Sequence, residues 1–469
     1  MIQDEILRLQ GDDAAGALSA LTALAKKKQE RLEIDAALGK REAIVALLSS
    51  DTPKVRKNAA RLLGALCHKE DAAALSAALS TESTKFVIPS ILLALGSIGT
   101  PDAKAALESY TVPSPVDETE QKHCKEIAEA HQKALRTFDT DAFPVLTMLP
   151  RKETILLVSP DGFSDVLADE LSALSYQPTV ISQGVVVQTA NIGSLFRARC
   201  FFEALIPLGR FPLSDVSALA EAFCSHLILP YRVELRNFTG DRRAFIDAFT
   251  EKAGGTNNPS HYAVEARIVC DGDTALCYAK YCCVPDERFA YREQALPASI
   301  HPATAAAIVR AIVPYVDGKR VRVLDPCCGS GTMLLEAEKV LDCSSLTGVD
   351  VAESAIRAAR ANGAAAGSRA RFVHKDILRF DTRVEYDVIV ANLPFGNRVG
   401  THTDNTRLYR AFVSLLPTLL AKNGVAVLYT MESTLLKKCL LAESRLRVTR
   451  QKRTEAGGLL PYVFFVQHV

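Results

Sequence analysis

Four polar residues, Asp325, Asp350, Asp376 and Asn392, each stand at or just past the end of a short apolar run in a 469-residue chain. Between the first two lies Gly329-Ser330-Gly331-Thr332. Glycines in such a turn let backbone approach a ligand, and the free N–H groups of a following helix start point at it. The turn therefore suits an anionic or polar group, and the spacing narrows the choice. A dinucleotide site uses G-x-G-x-x-G, its third glycine permitting tight helix–strand packing. Here Gly329-x-Gly331 has no third glycine at that spacing, and an acid, Asp325, precedes the first glycine by four residues. A carboxylate there repels a pyrophosphate and attracts a cationic amino group. Asp350, about 20 residues past the glycines, suits the two hydroxyls of a ribose. In the alternative reading Asp325 only caps the helix.

Elements must hold those residues. Val321-Arg322-Val323-Leu324 alternates as a short strand, and Met333-Leu334-Leu335-Glu336-Ala337 begins a helix by apolar spacing. Strands follow at 346–350, 371–374 and 386–391, with a helix over 352–366. The last strand runs into Asn392-Leu393-Pro394-Phe395-Gly396. Four successive βα units thus carry polar residues at their carboxyl ends, where open α/β sheets bind ligands. A helix over 406–421, a strand over 425–431, a helix over 433–442 and a final strand pair, 446–453 and 461–469, continue the doubly wound pattern.

D-P-x-C-G-S-G-T followed by an [N/D]-x-P-[F/Y] turn resembles the S-adenosylmethionine-dependent methyltransferases, in the subset that acts on exocyclic amino groups of nucleobases. The resemblance implies a Rossmann-like class I methyltransferase domain over 296–469. It implies that Asp325, Cys327, Gly329, Ser330, Gly331 and Thr332 hold the methionine part of S-adenosyl-L-methionine. Asp350 with Val351 would bind the ribose side, and Asp376 with Ile377 the adenine. Asn392, Leu393, Pro394 and Phe395 would hold the target base, with Asn392 also bordering the cofactor. The segment 296–306 resembles the one that lies across the methionine end in the same branch, which makes Ser299, His301 and Thr304 candidates. His301 is equally placed to cap the helix that follows it. Leu393 replaces the first of two prolines in the commoner form and leaves that backbone less rigid. The N/D-L-P-F-G form belongs to the RNA-methylating branch, which favours RNA over DNA.

The chemistry agrees with that turn. An exocyclic amine conjugated to a ring is a poor nucleophile because its lone pair is delocalised. Hydrogen bonds from the amine to the Asn392 side-chain oxygen and to a backbone carbonyl draw the lone pair out of conjugation and aim it at the methyl carbon. Phe395 offers a face for the extruded base, worth about 1–3 kcal/mol. No strong base is needed, since the proton leaves after transfer. The polar stretch 397–405 reads as a lid over the base, with Arg398 and Arg407 able to steer a phosphate.

Composition sets the bounds. The length suits about three domains, and 48% apolar with 23% charged residues is ordinary for globular protein. No apolar run reaches transmembrane length and the N-terminus is acidic and polar, so a cytoplasmic protein without a membrane partner is expected. Twelve scattered cysteines make no disulfide framework, and the adjacent pairs Cys282-Cys283 and Cys327-Cys328 lack zinc spacing, so no metal is expected. The net charge is +1, yet residues 296–469 carry roughly 23 basic against 15 acidic residues. A basic catalytic domain on a neutral chain points to a polyanionic substrate.

Residues 1–110 are Ala/Leu-rich and helical in period. Leu63-Gly64-Ala65-Leu66 recurs as Leu95-Gly96-Ser97-Ile98 and Lys54-Val55 as Lys85-Phe86, an offset of about 31–32 residues that suits paired-helix solenoid repeats. The pattern resembles short HEAT repeats, an α-solenoid over 1–138 with a surface for a protein or RNA partner. A polar helix extends from the linker at 111–118 to about residue 138, with His123 and Cys124 read as surface residues. Residues 150–290 read as an α+β domain: strands at 155–158, 231–235 and 262–269, a hairpin over 179–187, and helices at 163–174, 192–205 and 241–253. The order resembles the RNA-binding THUMP region attached to guanine methyltransferases. Arg197, Arg199, Arg232, Arg236, Arg242 and Arg243 are its candidates for meeting phosphates. Arg445, Arg447, Arg450, Lys452 and Arg453 cluster late in the chain, where charges also protect an edge strand.

The expected protein is an RNA methyltransferase forming N2-methylguanosine in tRNA. Its rivals are an rRNA guanine-N2 methyltransferase, a DNA adenine-N6 methyltransferase, and a scaffold that has lost activity.

Overall fold

The computed structural model describes residues 2–9, 11, 13–25, 28–38, 41–115, 118–138, 143–296, 299–316, 318–394 and 402–469. They divide into two compact units. The first comprises Met1–Phe143 with two short pieces, Ile228–Arg232 and Gly255–Ala263. The second comprises Pro144–Leu227, Val233–Gly254 and Val264–Val469.

The first unit is helical, and the repeated Leu-Gly explains how it packs. Gly64 lies in the helix Pro53–Leu66, and a Cβ there would sit 2.8 Å from Ala94 Cα in the helix Ile88–Ile98. Gly96 stands one repeat later, and its Cβ would sit 2.8 Å from Ala134 Cα in the helix Glu118–Leu135. Each inner helix thus presses backbone to backbone on the next, and glycine is the side chain that permits it. Left-handed C-caps at Cys67 and Gly99 end the first two helices. Thr100 caps the helix Pro101–Ser109 by accepting from Ala103 N–H, whereas Thr52 makes no side-chain cap bond. Arg56 forks onto Glu82 at 2.7 and 2.9 Å and holds the inter-repeat turn. Cys124, expected at the surface, is instead buried: it falls on the inner face of its helix with Ile127.

Residues 153–468 form two seven-stranded sheets. The first is built from β1 (Glu153–Val158), β2 (Thr179–Ile181), β3 (Gly184–Thr189), β4 (Glu203–Pro212), β5 (Tyr231–Arg236), β6 (Val264–Asp271) and β7 (Thr274–Tyr281) in the order β2-β3-β1-β4-β7-β6-β5. The helix expected over 192–205 does not form. Gly193–Arg197 makes one 3-10 turn, the Glu170 carboxylate takes the N–H groups of Arg199 and Cys200, and β4 follows. Pro207, Gly209 and Pro212 hid β4 from a propensity reading, and a bulge between Pro207 and Gly209 accommodates them. β7 follows β6 across a tight turn at Gly272-Asp273 and pairs antiparallel with both β6 and β4.

The second sheet runs β10-β9-β8-β11-β12-β14-β13, with β8 (Val321–Asp325), β9 (Cys343–Asp350), β10 (Arg371–His374), β11 (Tyr386–Asn392), β12 (Leu420–Thr430), β13 (Leu446–Arg453) and β14 (Tyr462–His468). β8 to β12 pair in parallel, and β14 is antiparallel to both β12 and β13. The order reverses between β8 and β11, so the carboxyl ends of those two strands flank the topological switch point. Apolar side chains from β8, β9, β11, β12 and β14 and from the helices His402–Leu419 and Ser433–Ala442 fill the core on one side. No helix among the described residues is long and apolar enough to cross a membrane. Nor do the described His, Cys, Asp and Glu side chains gather in groups of three or more that could hold a metal ion.

Candidate active site

β8 ends at Asp325, which is 1% exposed. Its carboxylate accepts the Cys327 N–H at 3.1 Å. Burial pushes the acid well above the usual carboxylate range, and nearby Asp350 adds to the shift. The chain then turns through Gly329 and Gly331, both at positive φ (51° and 84°), into the helix Thr332–Val340. A Cβ on Gly329 would meet nothing within 4 Å, so one flank of the turn is open. Gly331 serves another purpose. Its Cβ, like those of Gly348 and Gly363, would run into the Phe372 ring at 3.0, 2.8 and 3.0 Å respectively. Three glycines therefore hollow out the bed in which Phe372 supports the turn.

Asp350 ends β9 and links neighbouring loops, one oxygen accepting Gly329 N–H and the other Ala352 N–H, each at 2.9 Å. Val351 beside it is an apolar side chain left 71% exposed. Asp376 caps a 3-10 turn, Ile377–Arg379, through Leu378 N–H. The Ile377 side chain is buried in the core, so Leu378, 39% exposed, is the apolar face that this turn offers. Ser299 reaches across to Ser330, Oγ to Oγ 2.9 Å, and Ser330 lies 3.4 Å from the Thr332 hydroxyl. Thr304 is buried within the helix Pro302–Arg310. His301 caps that helix, its Nδ1 accepting Ala303 N–H. Partial burial, then Arg292 and Arg288, lower its pKa and favour the neutral ring that such a bond requires.

Asn392 ends β11, opposite Tyr429 of β12. Cys327 joins this turn to the glycine turn, its thiol donating to the Asn392 carbonyl at 3.4 Å. Burial, then Asp325, keeps that thiol protonated. Leu393 is buried, and its N–H donates to Tyr429 O at 2.9 Å. Pro394 O accepts the Tyr409 hydroxyl at 2.8 Å. Phe395, Arg398 and the first part of the expected lid, 397–401, lie outside the described residues; the helix His402–Leu419 begins directly after them.

The structure adds supporting residues that sequence reasoning missed. Glu336, 0% exposed, accepts Arg199 at 2.7 and 2.9 Å and the Tyr291 hydroxyl at 2.6 Å. Arg199 is therefore committed to this carboxylate and is not a phosphate contact. The signal was present as a lone acid inside Met333-Leu334-Leu335-Glu336-Ala337, an otherwise apolar stretch. Asn362, also 0% exposed, donates to Gln294 O and Ser330 O and accepts Gln294 N–H, tying the segment before β8 to the glycine turn. On β13, Arg450 and Lys452 pair with Asp165 rather than standing free at the sheet edge.

Residues 290–461 match the RMKL-like methyltransferase domain, UPF0020, and residues 41–122 match HEAT repeats. The chain is 30% identical over 344 residues to the tRNA (guanine(6)-N2)-methyltransferase of Thermus thermophilus, covering 65% of this chain and 97% of that protein. The crystal structure of TrmN from Thermus thermophilus superposes with a TM-score of 0.55 at 27% identity, covering 67% of this chain and 99% of that one. SMU.472, described as a methyltransferase and solved in complex with SAH, superposes with a TM-score of 0.56 at 15% identity over 68% and 99% of the two chains.

Proposed function

The chain belongs to the family of the Thermus thermophilus tRNA (guanine(6)-N2)-methyltransferase, and on that premise we propose that it methylates the exocyclic 2-amino group of a guanine in tRNA. One observation carries the reading: Asn392 stands at the switch point, its backbone tied by the Cys327 thiol to the turn that opens at Gly329. A base amine and a cofactor held by these two turns meet across that tie.

S-adenosylmethionine, when bound, supplies a methyl carbon on a sulfonium that is released as a neutral thioether once the amine nitrogen bonds to that carbon. The chain's own residues bind and aim. Buried Asp325 would hold the cofactor's ammonium, Asp350 its ribose and Asp376 its adenine amine, with Val351 and Leu378 available to flank the ring. Ser299, Ser330 and Thr332 line the methionine end. The Asn392 side-chain oxygen and the Leu393 carbonyl take the hydrogens of the target amine, localise its lone pair and orient it. Phe395 stacks on the flipped base. The extra proton leaves to solvent after transfer, so no basic side chain is required.

The remaining regions select the substrate. Residues 150–290 act as a THUMP-like domain that grips RNA, residues 1–138 present the helical repeats to a partner, and residues 296–469 do the chemistry. The protein works in the cytoplasm on tRNA in preference to rRNA. The test is methyl transfer from labelled S-adenosylmethionine to tRNA, rRNA and DNA, followed by nucleoside mass spectrometry. N2-methylguanosine in tRNA is expected. Label confined to rRNA, or N6-methyladenine in DNA, contradicts the assignment.

A further inference from the structure

The turn Asn392–Pro394 has little to hold it rigid by itself, since Pro394 contributes no N–H and Leu393 is free to rotate where a proline is not. Its shape comes from outside. Leu393 N–H is held by Tyr429 O, and Pro394 O accepts the hydroxyl of Tyr409, 0% exposed and reaching in from the helix His402–Leu419. That hydroxyl lies 2.7 Å from Thr430 Oγ1, also 0% exposed, and Thr430 Oγ1 accepts the N–H of Glu432. The Tyr409 proton is committed to Pro394 O, so Thr430 donates to the Tyr409 oxygen. The result is a directed chain: Glu432 N–H to Thr430, Thr430 O–H to Tyr409, Tyr409 O–H to the Pro394 carbonyl. Burial raises the phenol's pKa and keeps it a donor at any working pH. Buried donor chains of this kind polarise each link and fix direction as well as distance.

We propose that Tyr409, backed by Thr430, is the positioning residue of methyl transfer: it fixes the Pro394 carbonyl and thereby the aim of the Leu393 carbonyl and the Asn392 amide at the target amine. The inference rests on the proposed reaction and adds to it the part that replaces the missing proline. Tyr409 itself touches neither base nor cofactor. Its ring packs in the core with Phe412, Val413 and Leu416, which is why its spacing reads as an ordinary buried helix face.

The test is Tyr409→Phe, with Thr430→Val and the double variant, assayed for kcat and KM on tRNA, for S-adenosylhomocysteine affinity and for melting temperature. Displacing a reacting group by about 1 Å costs about 100-fold, so a kcat loss of about 10- to 100-fold is expected for Tyr409→Phe. Cofactor affinity should stay within about twofold. The double variant should lose no more than Tyr409→Phe alone, because the two hydroxyls act in series. Tyr409→Phe with wild-type kcat contradicts the inference while leaving the reaction standing. A fall in cofactor affinity and melting temperature that matches the fall in kcat also contradicts it, since that is the mark of general loosening. A wild type that transfers no methyl group to tRNA contradicts the reaction, and the inference with it.

Discussion

Glycine does opposite work in the two units. In the helical unit Gly64 and Gly96 are places where a neighbouring helix already occupies the space a Cβ would need, 2.8 Å from Ala94 and Ala134. In the second unit Gly329 is a place where nothing occupies it. The first pair trades side chains for backbone contact, and its consequence is stability of the stack. The second leaves one side of a turn open, and on the proposed reading its consequence is binding. Gly331, Gly348 and Gly363 sit between these cases, since they surrender space to Phe372 so that the open turn has a firm floor. The two units agree in another respect. Each is tied by an Arg–Glu fork with the carboxylate out of water, Arg56–Glu82 in one and Arg199–Glu336 in the other.

The largest effect tests that tie. Arg199→Leu strands Glu336 as a buried charge without its cation and should cost about 3–5 kcal/mol of stability, read by chemical denaturation. Loss of less than about 1 kcal/mol would mean that the fork is incidental. Next come the packing glycines. Gly96→Ala forces the helices Ile88–Ile98 and Glu118–Leu135 apart and should destabilise the protein by about 1–3 kcal/mol despite alanine's better helix propensity, with cofactor affinity unchanged. Gly329→Ala inverts the pattern. It should cost only about 1 kcal/mol, from its positive φ, yet weaken S-adenosylhomocysteine binding by about tenfold or more in calorimetry. Equal effects of both substitutions on binding would dissolve the distinction.

The smallest effect follows from Asp325. Its folded-state pKa is raised, so above the ordinary carboxylate range the native protein holds a proton that the unfolded chain has released. Stability therefore falls as pH rises through that window, and a bound cation, which favours the anion, offsets the loss. S-adenosylhomocysteine carries the same ammonium, so its affinity should weaken as pH is lowered, by at most about tenfold per pH unit. A flat calorimetric profile from mildly acidic to neutral pH would separate Asp325 from the ammonium.

Much of this was legible in the chain, and the limits have physical causes. The catalytic sheet declared itself because each strand ends on a polar residue and each helix keeps its apolar period, so β8, β9, β10 and β11 fall where the pattern puts them. The repeat was visible through Leu-Gly, though not that its glycine is a contact point, which depends on a helix distant in sequence. β4 escaped because prolines and a bulge interrupt it, and the helix expected over 192–205 was overridden by the Glu170 carboxylate capturing two backbone N–H groups. Glu336 stood out as a lone acid in an apolar stretch, but its partner, like those of Asn362 and Tyr409, was beyond reach. These partners lie between 15 and 137 residues away, and no local period records such a pairing.

The central claim is that the amide at Asn392 aims the target amine. Asn392→Ala should lower the rate of methyl transfer to tRNA by about 100- to 1,000-fold while S-adenosylhomocysteine still binds within about twofold of wild type. Turnover that persists at the wild-type rate in that variant would contradict the account.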